Sequence, residues 1–212
     1  MGNFSEFVER ADALADETFT EYTVTKRRLE AAERKKAETP VKSGLVSAEY
    51  AVRAAKAEAN YLEAKEKFET VKHGLPEKSR QMQAIREDFV AAVGSRFAAD
   101  PAKLDKTTLD LMNSGILKPV EYERLMANAE RDENFTMIRL IAAKAAEAAD
   151  KAPTREGEAI LKAVAMRGRN ADGGDFIRAF DAGVVGVFSR CLRNPALYSS
   201  WDKLMQPVRD AL

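Results

Sequence analysis

From Phe4 onward the small and apolar residues recur at alternating steps of four and three: Phe4, Val8, Ala11, Ala15, Thr18, Tyr22, Thr25, Leu29 and Ala32. That spacing is a heptad seam, and it predicts one long helix packed along its length on a partner. No glycine or proline interrupts Asn3 to Thr39; Asn3 is placed to cap the helix, with Glu6 closing a capping box. The stretch Thr39-Pro40-Val41-Lys42-Ser43-Gly44 breaks the pattern. A second seam follows through Tyr50, Ala54, Ala57, Tyr61, Ala64, Phe68 and Val71, and His73-Gly74-Leu75-Pro76 reads as its stop. A short connection between two such helices implies an antiparallel hairpin. Folded back about Val41, facing residues have numbers summing to about 82 or 83. Ala15 then faces Phe68, Thr25 faces Ala57 and Leu29 faces Ala54, nearly always large against small. At ~1.5 Å per residue the rod is roughly 45–50 Å long.

The remaining chain carries shorter amphipathic segments. Met82, Ile85, Phe89, Val93 and Phe97 mark a helix from Glu77 to Ala99, after which Asp100-Pro101 opens a new turn. A short helix over Thr107–Asn113 stops at Ser114-Gly115, and Pro119 opens the next. Asn134 caps a helix reaching Lys151, and another runs from Pro153-Thr154 to Gly168. The most apolar segment, Asp175–Arg193, contains Gly183 and Gly186, whose cost in a helix points to close approach of another helix. A last helix from Ser200 carries Trp201, Leu204 and Met205 up to Pro207. No run alternates with period two, so no strand is expected. The predicted class is all-α: a long N-terminal antiparallel helical hairpin (residues 1–75) followed by a multi-helix bundle (residues 76–212).

Composition narrows the function classes more than it names one. Apolar residues make up 45% of the 212 and charged residues 32%, with 34 basic against 34 acidic. The balance argues against a large phosphate footprint. One cysteine precludes an internal disulfide and suits a reducing, cytoplasmic setting. The longest very apolar stretch, Ala182–Phe188, is far short of the ~20 residues that span a bilayer, and the N-terminus lacks the basic start and apolar core of a signal peptide.

Charge is uneven along the rod. Residues 6 to 21 hold six acids against Arg10, a net of −5; residues 26 to 56 hold nine bases against four acids, a net of +5. Acid at a helix start and base at its end suit the macrodipole. The functional reading is a basic tip, Lys26, Arg27, Arg28, Arg34, Lys35 and Lys36, that meets an acidic partner or a second rod lying head to tail. The back of the second helix also carries Leu45, Val52, Ala55, Ala59 and Leu62 opposite its seam, an apolar stripe open to another helix or protomer.

Candidate chemistry is sparse. His73, the only histidine, reads as a helix-terminal residue, and Cys191 as a small core residue. One of each cannot build a usual zinc ligand set. In the loop Arg167–Asp175, Asn170, Asp172 and Gly173 fit positions three, five and six of a calcium loop, but Gly168 and Ala179 fail at positions one and twelve. The loop could also present a helix N-terminus to an anion beside Arg167 and Arg169; an ordinary turn with Asp175 as the cap explains it as well. Exposed pairs such as Glu63 with Lys67 are ordinary helix-surface pairs.

The segment Leu111-Met112-Asn113-Ser114-Gly115-Ile116-Leu117, with Glu121-Tyr122, Leu125, Asn134, Thr136-Met137 and Arg139-Leu140-Ile141, resembles a pattern in uncharacterised helical proteins of prophages. It covers about residues 107–146, and it implies a phage structural or assembly gene. The sequence therefore leads to a non-enzymatic structural, assembly or interaction protein without cofactor or metal. Its hairpin would associate with protein, foremost another copy as a dimer or higher oligomer, and not with membrane. The alternative is a nucleic-acid-binding protein using the basic tip, although no aromatic residue lies among those charges to stack on bases.

Overall fold

A computed structural model of the chain describes residues 4–39 and 48–211. The Asn3 cap, the break after Thr39 and Leu45 of the back stripe lie outside the described residues. Helix accounts for 88% of the described residues, with no strand among them, so the class is all-α. Two long helices come first, α1 (Ser5–Glu38) and α2 (Ala48–Arg96). The shorter helices are α3 (Lys106–Ser114), α4 (Pro119–Arg131), α5 (Phe135–Ala149), α6 (Arg155–Arg167), α7 (Gly174–Phe180), α8 (Gly186–Arg193) and α9 (Trp201–Ala211).

Three expected boundaries are corrected. α2 passes unbroken through His73-Gly74-Leu75-Pro76, because Gly74 is helical rather than left-handed and side chains pack on both sides of the proline. Likewise α9 continues through Pro207. Within the predicted helix 175–193, residues Asp181–Val185 widen into one π turn between α7 and α8. There Gly183 is required by packing, since a Cβ would lie 2.1 Å from Val208 Cγ2.

The chain forms two compact units: Phe89–Arg178, and the residues up to Asp88 together with those from Ala179 onward. This division differs from a boundary at 75/76, because the C-terminal helices share a core with α1. In that discontinuous unit the buried residues are Phe7, Leu14, Ala15 and Phe19 of α1, Met82 and Ile85 of α2, Val184, and Phe188, Trp201, Met205 and Val208 from the C-terminal helices. The ring of Phe19 lies 5.4 Å from Phe188 and 5.1 Å from Tyr198. Polar contacts fix the same joint: the Trp201 indole N–H donates to Asp12 Oδ1 at 2.8 Å, Arg209 donates to Asp12 Oδ2 at 2.8 Å, and the Tyr198 hydroxyl donates to Asp16 at 2.9 Å.

The continuous unit closes around Met126, Ile141, Ala145, Leu161 and Val164 on α4, α5 and α6. Asn134 caps α5 and Thr154 caps α6, each accepting from a backbone N–H three residues on. Gly115 ends α3 in the left-handed conformation at φ 70°. Arg139 donates to the carbonyl oxygens of Phe97 and Ala171, tying the end of α2 and the turn after α6 to α5.

Candidate interaction surface

α1 and α2 run antiparallel, but in a register different from the one expected. Glu17 pairs with Lys78 at 2.7 Å and Lys36 with Glu58 at 2.8 Å, so facing numbers sum to 95 and 94 rather than 82 or 83. The Phe68 ring packs at a tilt against Tyr22, with ring centroids 5.2 Å apart, instead of meeting Ala15. The expected pairs Ala15 with Phe68 and Leu29 with Ala54 are therefore not formed. Heptad seams repeat every seven residues, and the Tyr22–Phe68 sum of 90 lies about one heptad from 82 or 83, so apolar still meets apolar there and the seams alone do not fix the offset.

The slide changes what is buried. On α1 the last buried residue is Phe19; Tyr22, Thr25, Leu29 and Ala32 continue the seam only half-buried. On α2 between Ala48 and Gln81 only Ala54 is buried, at 7% exposure. The far half of the arm is thus a two-helix pair with almost no interior. Its apolar side chains face outward instead: Val52 is 67% exposed, Leu62 54% and Val24 41%, with Ala55 and Ala59 exposed between the first two. The stripe Val52, Ala59, Leu62 is therefore present and uncovered by any described residue of the chain. Val24, exposed on α1, lies outside the heptad seam and lines a groove with Glu63, Glu66 and Lys67 of α2.

The basic residues do not form one face. Arg28 and Lys35 line a groove between the helices, floored by Ala31, Ala32, Ala57 and Ala64. Arg27 and Arg34, one residue before each, are exposed and set about 100° around the helix from that row. Lys36 is held by Glu58 and lies 4.3 Å from the centre of the Tyr61 ring, and Lys26 is 3.9 Å from Glu30. Acid at the base is engaged as well: Asp12, Asp16 and Glu17 are bound by Arg209 and Trp201, by Tyr198, and by Lys78. Burial and the bond to Asp16 push the Tyr198 hydroxyl above the ordinary tyrosine range, so it stays a donor.

Other sequence candidates resolve into structure. His73 sits inside α2, not at its end; its Nδ1–H donates to the Glu69 carbonyl at 2.7 Å. Cys191 is fully buried, which pushes its thiol up. In the loop after α6, Asp172 rather than Asp175 accepts from the Gly174 N–H, at 2.9 Å. Asp175 pairs with Arg178, and Arg167 with Glu130. Gly173, at φ 75°, leaves no room for a Cβ, which would meet Val93 and Phe97 side-chain atoms at 2.4 and 2.6 Å. Among the described residues no group of three His, Cys, Asp or Glu side chains could hold a metal ion, and no helix is long and apolar enough to cross a membrane.

Sequence reasoning found the stripe but missed the engagement of Asp12 and Asp16 by the C-terminal helices. The available signal was the cluster Tyr198, Trp201 and Arg209, whose donors need acceptors. Comparison with protein-family models, with curated proteins and with solved structures finds no match to this chain.

Proposed function

We propose that this chain is a non-enzymatic assembly or interaction protein whose helical arm binds a second copy of itself. The observation that carries the reading is the contrast along the arm: its far half buries one alanine while exposing Val52, Leu62 and Val24. A helical pair that presents apolar residues outward gains most by covering them. The stripe is also self-complementary. Val52, Ala55, Ala59 and Leu62 are spaced symmetrically about residue 57, so a two-fold axis there sets Val52 of one copy against Leu62 of the other and Ala55 against Ala59. Because much of the base acid is engaged within the chain, apolar burial rather than charge supplies the affinity. A phage-related assembly role, as the prophage resemblance implies, is compatible with such an arm.

Sedimentation of the full chain tests this. The expected result is a dimer at about 10 μM, a concentration that asks only modest affinity. Val52→Glu with Leu62→Glu should return a folded monomer; a wild-type monomer overturns the reading. Nucleic-acid binding has less support, since Lys26 and Lys36 are paired and the other bases are spread around the helix. Micromolar duplex DNA binding, lost when Arg27, Arg28, Arg34 and Lys35 become glutamate, would replace the assembly reading.

A further inference from the structure

α2 carries Gly74 and Pro76 in mid-helix, and neither is there for packing. A Cβ at Gly74 would meet nothing within 4 Å, and its φ is not positive. Alanine would fit and would favour the helix. Pro76 has no N–H, so the Lys72 carbonyl loses its partner from one turn on. The neighbouring turn is reinforced from outside the backbone ladder: His73 Nδ1 and the Glu69 carbonyl are 2.7 Å apart, and Thr70 Oγ1 donates to the Glu66 carbonyl at 3.0 Å.

α1 weakens at the same level. Facing numbers sum to 95 at Glu17–Lys78 and to 90 at Tyr22–Phe68, so residues 69–76 of α2 overlap the level of residues 18–25 of α1. Five of those eight are β-branched: Thr18, Thr20, Thr23, Val24 and Thr25. Such residues hold a helix less well than the straight chains around them. Thr18 donates to the Leu14 carbonyl at 2.6 Å and Thr25 to the Glu21 carbonyl at 2.8 Å, a pattern that bends helices. The buried part of α1 also ends here, at Phe19, while that of α2 resumes at Met82.

We infer that residues 18–25 of α1 and 69–76 of α2 form a two-helix hinge, about which the far arm swings against the packed base. The soft positions of both helices coincide with each other and with the edge of the core. The hinge does not depend on what the arm binds. It would let one arm adjust its angle to a partner while the base stays packed, a motion that two uninterrupted helices would resist.

The test uses the full chain with spin labels at Glu9→Cys and Arg34→Cys, both exposed and on opposite sides of the hinge on α1; Cys191 is buried. Dilution with unlabelled protein leaves only distances within one chain. The wild type should give a broad distance distribution. Gly74→Ala/Pro76→Ala/Thr23→Ala should narrow it about two-fold around the ~38 Å expected of a straight helix. Equal widths in the two proteins, broad or narrow, overturn the hinge. Amide exchange at Glu77–Arg80 gives a second readout: it should slow about tenfold in the substituted protein, and an unchanged rate overturns the inference.

Discussion

The unit Phe89–Arg178 and the far half of the arm are both helical, yet they are helical for different reasons. The unit packs Met126, Ile141, Ala145 and Val164 out of water, and its helices are short and individually capped. The arm has long helices with almost nothing buried beyond Phe19, held by exposed pairs such as Lys67 with Glu63 and Lys72 with Glu69. Pairs of that kind contribute only ~0.2–0.5 kcal/mol each. Helix length therefore says little about where stability lies: tertiary burial supports the short helices, and local propensity must support the long ones.

The sharpest way to break this comparison is a matched pair of truncations. Ile141→Ala should cost about 2–5 kcal/mol in urea unfolding, through lost burial and the cavity left behind. Leu62→Ala in the monomer should fall within about 0.5 kcal/mol of wild type. A large loss at Leu62 in a protein shown to be monomeric would mean that the arm has an interior after all. A middle-sized effect marks where the packed base ends. Asp12→Ala removes the acceptor of the Trp201 N–H and one of the two Arg209 acceptors. It should cost about 1–2 kcal/mol and shift the emission of the single tryptophan to the red; unchanged emission would place Trp201 elsewhere. The smallest expected change lies within the packed unit and runs the other way. Glu133 sits at φ 48° just before the Asn134 cap. Glu133→Gly relieves that backbone strain and should raise the unfolding midpoint slightly, by about 0.5 kcal/mol net of the added chain entropy and the lost contact with Arg96. A loss of stability would show that the Arg96 contact outweighs the strain.

Much of the secondary structure was legible because caps and periodicity are local. Asn134, Thr154, Gly115 and Pro119 each mark the helix end their chemistry implies. The stripe through Val52 and Leu62 was legible for the same reason: it lies on one helix face. What escaped depends on distant parts of the chain. The hairpin offset follows from contacts such as Glu17 with Lys78, which a seven-residue repeat does not encode. The Gly74-Leu75-Pro76 break is weaker than its residues suggest, because a proline removes one hydrogen bond, whereas Met82 and Ile85 on one side and Phe68 on the other hold α2 together. The acids of α1 read as a free electrostatic surface because Trp201 and Arg209, 189 and 197 residues from Asp12, are invisible in a local window.

That last separation has a consequence for synthesis on the ribosome. Phe19 meets Phe188 and Tyr198, so α1 cannot cover its apolar face until those later residues have been made. The continuous unit can close while the discontinuous one waits. At ~5–20 residues per second the wait is on the order of ten to thirty seconds. During that interval Phe7, Leu14 and Phe19 present an uncovered hydrophobic face on the nascent chain, exposed to aggregation until the later helices arrive.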